Sequence, residues 1–285
     1  MTRDKVTVHA VQARKAGPKL RMITAYDTPM AVVADQAGAD IILVGDSVTD
    51  NMLGFPDTLA ATIDIMVHHA AAVMRAQPAS LVVADMPWLS YHVSPAEAVH
   101  NAGRLIREGR ADAVKLEGGR KRLPVVEAIL AAEIPVMGHL GLTPQSVRAM
   151  GGYRVQGRQA NPARELLEDA RALAAAGVFA IVLEGMPDVL ARTITRVVAV
   201  PTVGIGAGPD CDGQVLVLHD ALGLHLNRRG AKFVRPYANI AEVAVGALQA
   251  FFADIQSGSF PSDAESYHMD AETARVFQEM IREIE

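Results

Sequence analysis

The sequence predicts a closed barrel of eight parallel strands with helices between them, a (β/α)₈ barrel, followed by a C-terminal helical tail. Short apolar runs, each the length of one buried strand, alternate with longer segments of helical periodicity. Eight such runs favour a closed barrel, with an open doubly wound sheet as the structural alternative. Five of the runs end in a titratable residue, and in a parallel barrel those ends converge on the face that carries chemistry. At 285 residues the chain fits one such barrel of about 250 residues plus trimmings. Residues 1–285 therefore read as a single barrel domain, with 257–285 as a C-terminal arm and helix.

Taken in order, residues 1–20 are mixed and polar, consistent with a short helix and a lead-in. Residues 21–27 read as the first strand, and the helix after it places Met30, Val33, Ala34 and Ala37 on one face before Gly38 stops it. The strand at 41–45 follows, then 48–59 as an irregular loop. The next helix carries Ile63, Met66, Val67, Ala70 and Met74 at helical spacing and leads to the strand 81–85. Ser94-Pro95-Ala96-Glu97 offers a capping box with proline at the first helical position. Ala98, Ala102, Leu105 and Ile106 form the buried stripe of that helix. A strand at 112–117, a helix at 123–132 and a strand at 134–138 come next. Residues 143–157 form a long glycine-bearing loop with room for a short helix. Asn161-Pro162 starts a helix with Leu166, Leu167, Ala170, Leu173 and Ala174 facing inward. Strand 178–184, helix 188–198 and strand 200–205 follow, then a second long loop at 206–223. Lys232-Phe233-Val234 is the candidate eighth strand. A helix at 237–256 has Ile240, Val243, Ala244, Ala247 and Phe251 on one face. Past an irregular arm, Phe277, Met280, Ile281 and Ile284 recur at helical spacing, a stripe to be buried against the barrel or a neighbouring subunit.

Composition narrows the function. The net charge of -5, with both signs mixed along the chain, gives no basic nucleic-acid face and no polybasic membrane anchor. A single cysteine, Cys211, excludes an internal disulfide framework and a cysteine-only metal site. The N-terminus lacks the apolar core of a signal peptide, and the longest apolar run, 173–183, is too short to span a bilayer. These features place the expected location in the cytoplasm. The mean hydropathy of +0.18 suits a fully covered sheet together with a subunit interface, hence a homo-oligomer.

The strand ends carry the candidate chemistry. Ile41-Ile42-Leu43-Val44-Gly45-Asp46-Ser47 delivers a carboxylate and a hydroxyl, and 81–84 ends in Asp85. Two carboxylates at neighbouring strand ends repel unless something neutralises them. A divalent cation bound by oxygens does so, and Mg²⁺ usually takes one or two protein carboxylates plus substrate oxygens. The plain alternative for each is a helix cap or a loop hydrogen bond. Lys115 and Glu117 sit two apart and share a strand face. Facing inward, Glu117 serves as a metal ligand or holds a metal-bound water, and Lys115 holds a substrate carboxylate or stabilises developing negative charge. The alternative is a salt bridge at a strand end. His139 ends the fifth run and, alone, reads equally as a hydrogen-bonded core residue. Glu184 ends a very apolar strand, where a raised pKa suits a general base; pairing with a cation is the alternative. Gly204-Ile205-Gly206-Ala207-Gly208 comes late and opens no clear helix, so it is not a dinucleotide fingerprint. His68-His69 lacks the spacing of a zinc helix, and Asp210-Cys211-Asp212-Gly213 reads as a structural turn.

Several blocks in fixed order make a more specific signal. They are Val44-Gly45-Asp46-Ser47, Val83-Ala84-Asp85-Met86-Pro87 and Val114-Lys115-Leu116-Glu117-Gly118-Gly119. Then come Val136-Met137-Gly138-His139-Leu140-Gly141-Leu142-Thr143-Pro144-Gln145-Ser146, Gly151-Gly152-Tyr153-Arg154-Val155-Gln156-Gly157, Leu183-Glu184 and the run 204–220. From about Thr24 to Ser266 the chain resembles the ketopantoate hydroxymethyltransferase (3-methyl-2-oxobutanoate hydroxymethyltransferase) family. The resemblance implies a TIM barrel of the phosphoenolpyruvate/pyruvate superfamily, commonly assembled as a decamer. It implies Mg²⁺ held through Asp46, Asp85 and Glu117, and a 2-oxo acid site lined by Asp46, Ser47, Asp85 and Lys115. It makes Glu184 the proton acceptor and 5,10-methylenetetrahydrofolate the one-carbon donor. His139 would polarise or orient a group in the same pocket.

The sequence departs from the family pattern beside the site. After Gly-Asp-Ser the family usually continues Leu-Gly-Met, and here Val48-Thr49-Asp50-Asn51 follows. A glycine is lost and a carboxylate gained; the stretch 55–60 is also unusual. A glycine needed for positive φ would make this a reshaped loop. Two further readings stand beside the hydroxymethyltransferase. One is a superfamily lyase or aldol-type enzyme on another 2-oxo acid, which needs no folate. The other is a catalytically silent paralogue that binds a 2-oxo acid or serves in assembly.

Overall fold

A computed structural model of the chain describes residues 3–225 and 230–282. The chain divides into two compact units, 1–221 with 228–236, and 222–227 with 237–285. The second unit thus begins well before the arm expected from residue 257.

The first unit is a closed parallel barrel in sequential order. Its strands are β1 (Leu20–Thr24), β2 (Ile41–Val44), β3 (Leu81–Asp85), β4 (Ala113–Glu117), β5 (Val136–Gly141), β6 (Ala180–Glu184), β7 (Thr202–Ile205) and β8 (Gly213–Leu216). Each strand pairs with the next, and β8 closes on β1 through Leu20↔Gly213 and Met22↔Val215. The helices are α1 (Val8–Gln12), α2 (Thr28–Gln36), α3 (Val48–Asn51), α4 (Ile63–Met74), α5 (Pro95–Arg107), α6 (Leu123–Ala131), α7 (Val147–Met150), α8 (Ala160–Ala176), α9 (Asp188–Val197) and α10 (Leu218–Leu222).

Local chemistry sets the boundaries. Asp27 belongs to no strand: its carboxylate accepts the Met30 N–H at 2.8 Å and starts α2. Ser94 accepts the Glu97 N–H at 3.2 Å, one half of the expected capping box, with Pro95 in the first turn of α5. Two cores result. One lies between barrel and helices, and the other fills the barrel interior with Leu20, Met22, Ile41, Leu43, Leu81, Val83, Val182 and Val203. Val11 of α1 joins the interior cluster with Val6 and Val8 against it, so the amino-terminal segment plugs the barrel at the strands' N-terminal end.

The eighth strand is not where the sequence suggested. It is Gly213–Leu216, inside the stretch read as the loop 206–223, which also holds α10. Lys232-Phe233-Val234 is a turn in which the Val234 N–H bonds to the Ala231 carbonyl at 2.9 Å. Phe233 packs its ring against Gly206, where an added Cβ would sit 2.6 Å from the ring. The stretch 48–59 is likewise structured: it contains α3 and a 3₁₀ turn at Thr58–Ala60.

The second unit carries α11 (Ile240–Ser257), a 3₁₀ turn at Asp263–Glu265 and α12 (Ala271–Arg282). The apolar faces read from the sequence are exposed: Val243 67% and Phe251 40% on α11, and Phe277 43% and Met280 55% on the α12 stripe predicted to be buried. Ala241 alone among the described residues of α11 is buried, and Ile284 lies outside the described residues. No helix among the described residues is long and apolar enough to cross a membrane.

Candidate active site

Side chains alternate along a strand, so one interior residue fixes the direction of those two and four positions away. Leu81 and Val83 belong to the interior cluster, so Asp85 points inward as well. Ala113 sets the same parity for Lys115 and Glu117, Met137 for His139, and Ala180 and Val182 for Glu184. The apolar layer ends and a titratable layer begins at the C-terminal rim. The parallel register places Asp85 beside Lys115 and Glu117 beside His139. Asp46 and Ser47 follow β2 directly. All seven residues singled out in the sequence line one cavity of about 140 Å³, with Leu43, Val182, Ile205, Val215, Leu216 and Phe233 as its apolar surface.

Five of these groups are 4% exposed or less: Asp46, Asp85, Lys115, Glu117 and His139. Lys115 Nζ lies 3.1 Å from Asp85 Oδ1 and 3.1 Å from His139 Nδ1. Burial opposes the charge on Lys115, but Asp85, Glu117 and Asp46 outweigh it and hold its pKa above the ordinary value. Burial, reinforced by Asp85, pushes the Asp46 carboxyl up; burial pushes Glu117 well up against the pull of Lys115. Burial and then Lys115 hold His139 far below the usual imidazole value, so it is neutral. An ammonium only donates, so His139 Nδ1 accepts from Lys115 and the ring proton sits on Nε2. Nε2 is 3.2 Å from Glu184 Oε2 and 3.5 Å separates Nδ1 from Glu117 Oε1. Neither contact has the alignment of a strong hydrogen bond. Glu184 is pushed up to about 7, by burial, against Lys115.

Sequence reasoning gave no role to Gln145 or Tyr91, which sit behind these carboxylates. The Gln145 Nε2 donates to Asp46 Oδ2 at 2.8 Å and to the Met86 carbonyl at 3.0 Å. Its backbone N–H donates to Glu117 Oε2 at 3.1 Å, and its Oε1 accepts from the Tyr91 hydroxyl at 2.6 Å. The only available signal was a neutral polar residue one step after proline in the turn beyond β5. Ser47 bonds the Tyr26 hydroxyl at 2.8 Å. Of the pair His68-His69, His69 is buried and structural: its Nδ1 contacts the Tyr26 carbonyl at 2.7 Å. Asp212 anchors Lys15 at 2.8 Å and the Thr202 N–H at 2.9 Å, away from the cavity.

The departure after Ser47 needs no glycine. Thr49 sits in α3, fully buried, and its hydroxyl donates to the carbonyls of Asp46 at 2.8 Å and Asp57 at 3.1 Å. The glycine that is required is Gly45, where a Cβ would approach Ser47 Oγ to 2.7 Å.

Three buried carboxylates around one ammonium leave negative charge uncompensated, which a protein interior tolerates only with protons or a cation. Asp85 Oδ1 is buried without an aligned hydrogen bond. An all-oxygen donor set suits Mg²⁺, which takes few protein ligands and completes its shell with water and substrate oxygens. No group of three His, Cys, Asp or Glu side chains among the described residues closes on one point as a full ligand set. The oxygens of Asp46, Asp85 and Glu117 are of the donor type Mg²⁺ takes, but the three do not close on one point, so water and substrate would have to complete the shell.

The family described as ketopantoate hydroxymethyltransferase matches residues 5–263. The chain belongs to that family. It is 56% identical over 266 residues to a protein of Moorella thermoacetica named 3-methyl-2-oxobutanoate hydroxymethyltransferase, covering 93% of this chain and 98% of the relative. A protein of the same name from Koribacter versatilis is 51% identical, covering 98% and 95%. Among solved structures, phosphonopyruvate hydrolase complexed with oxalate and Mg²⁺ matches with a TM-score of 0.58 at 16% identity, over 97% of both chains. A 2,3-dimethylmalate lyase of the PEP mutase/isocitrate lyase superfamily matches at 0.56 and 16%, over 96% and 98%. At such identities these two speak for the fold alone, a closed parallel barrel as the resemblance implied.

Proposed function

We propose that the chain transfers a hydroxymethyl group from 5,10-methylenetetrahydrofolate to 3-methyl-2-oxobutanoate, giving 2-dehydropantoate. The observation that carries this reading is the single cavity in which three carboxylates, Lys115 and a raised-pKa Glu184 face an apolar wall. Asp46, Asp85 and Glu117 would hold Mg²⁺. When bound, the ion supplies Lewis-acid polarisation of the substrate's keto and carboxylate oxygens. The apolar wall takes the branched alkyl end and excludes water from it. Glu184, poised near neutrality, accepts the proton from the carbon next to the ketone, a contribution of about 10²–10⁴ in rate. The C–H electron pair passes into the enolate, and the buried Lys115 ammonium offsets the developing negative charge. His139, held neutral with its proton on Nε2, places that N–H beside the Glu184 carboxylate. The enolate carbon then bonds to the one-carbon unit as that unit's two bonds to folate nitrogens break; water supplies the hydroxyl, and the proton held by Glu184 and the second proton of water go to the two nitrogens. The exposed apolar faces of α11 and α12 support a homo-oligomer, and we place the enzyme in the cytoplasm.

The test is NMR of 3-methyl-2-oxobutanoate in D₂O with the purified protein and Mg²⁺, beside a Glu184→Gln control, followed by addition of 5,10-methylenetetrahydrofolate. Loss of the C3 proton signal with the wild type alone, and 2-dehydropantoate once folate is added, are the expected results. Neither exchange nor product with folate present would overturn the proposal.

A further inference from the structure

Gln145 makes four polar contacts from a fully enclosed position, and two of them end on carboxylates of the site. One side-chain N–H holds Asp46 Oδ2, and the backbone N–H holds Glu117 Oε2. These residues come from different strand ends, after β2 and at the end of β4, so one residue spans the carboxylate cluster from behind. The orientation of its amide is over-determined. Flipped, the amide oxygen would face the Asp46 carboxylate and the Met86 carbonyl, two acceptors that repel it. Tyr91 reinforces the choice: its hydroxyl donates to Gln145 Oε1 at 2.6 Å while accepting the Glu117 N–H at 3.2 Å. Tyr91 is 1% exposed, and the Arg122 guanidinium covers its ring at 5.6 Å. Capping one oxygen of each carboxylate leaves the other for a cation in the cavity. Pro144, opening the 3₁₀ turn Pro144–Ser146, fixes the backbone that aims Gln145 back at the cluster.

We propose that Gln145 is a positioning residue that presets Asp46 and Glu117 for a divalent cation, with Tyr91 locking the amide that does so. The inference rests on the Mg²⁺ reading of the site. Outer partners that orient metal ligands typically change metal affinity by about 10–100-fold when removed.

The experiment measures Mn²⁺ binding by the full-length protein, from the EPR signal of free Mn²⁺, without substrate. Wild type is compared with Gln145→Leu, which keeps the backbone N–H but loses the amide, and with Tyr91→Phe, which keeps the ring and loses the lock. The expected result is a weakening of about 10–100-fold for Gln145→Leu and a smaller weakening for Tyr91→Phe. The metal concentration for half-maximal activity should rise in parallel, while kcat at saturating metal falls far less. Thermal unfolding in EDTA identifies a variant that has not folded, in which case Tyr91→Phe alone decides the outcome. Unchanged Mn²⁺ affinity in the folded variants overturns the positioning role while leaving the cation reading intact. Absence of Mn²⁺ binding by the wild type overturns the cation reading itself, and the positioning role with it.

Discussion

Replacing Glu184 with glutamine should abolish turnover and stabilise the protein, but only above a definite pH. Glu184 is raised from 4.5 to about 7 by burial. Between those values the folded state binds a proton that the unfolded state has released, so stability falls as pH rises through the window. Below pH 4.5 the residue is protonated in both states and contributes nothing. Above 7 the folded state must keep a buried charge, at a cost of about 2.5 × 1.36, or roughly 3 kcal/mol. The side chain retains 15% exposure, which makes that figure a ceiling. Glutamine matches the protonated carboxyl in shape and never ionises. Thermal unfolding of both proteins in EDTA at pH 5 and pH 8 reads the effect, because groups that do not feel the Glu184 charge cancel in the difference, leaving Glu184 and the neighbouring Glu117 that its charge raises. At roughly 2 °C per kcal/mol for a chain of this size, Glu184→Gln should melt about 6 °C above the wild type at pH 8 and close to it at pH 5. A melting difference that does not change with pH would refute the reasoning.

Lys115→Met leaves Asp85, Asp46 and Glu117 without their buried cation and should cost about 3–5 kcal/mol; added Mg²⁺ should then raise its melting temperature by more than it raises the wild type's. Gly141→Ala should be poorly tolerated, because φ is +99° and the new Cβ would sit 2.1 Å from the Glu184 carbonyl oxygen. A loss of about 2–5 kcal/mol in urea unfolding is expected from strain and overpacking together, with reduced activity because the base is displaced. Light scattering on a sizing column should give a mass that is a multiple of the 30.3 kDa chain, ten by the resemblance. A monomer at micromolar concentration would show that α11 and α12 tolerate their exposure.

The strand ends were legible because a strand buried on both faces reads as an unbroken apolar run, here closed by a titratable residue. Asp85, Lys115, Glu117, His139 and Glu184 each share parity with an interior apolar residue, so their convergence followed from the fold. The strand β8 lacks the apolar run: Gly213-Gln214-Val215-Leu216 follows a glycine-rich stretch and alternates buried with exposed or half-buried positions. Phe233 drew the assignment because it is apolar, and it is apolar because it packs on Gly206 at the cavity. Gln145 was illegible for another reason. Its importance comes from where a turn aims it and from Tyr91, 54 positions earlier, and no local pattern encodes that meeting. The loss of glycine at position 49 looked disruptive only because a family glycine suggests positive φ; a helical threonine with two acceptors fits.

The cavity's lining divides by sector around the barrel ring. Lys115, His139 and all its acids but Asp220 of α10 come from β2 through β6, whereas Ile205, Val215, Leu216 and Phe233, most of the apolar wall, come from β7 onward. In the proposed reaction, recognition of the alkyl chain would fall mainly on the later stretch of sequence and the movement of protons on the earlier one. Substitutions at Ile205, Val215, Leu216 or Phe233 can resize the apolar wall for bulkier or slimmer chains while leaving the contacts among Asp46, Asp85, Lys115, Glu117, His139 and Glu184 in place. Equivalent freedom does not exist in the earlier sector, where each charged group is a neighbour of the next. A family built this way can drift in substrate along one arc while the other stays fixed.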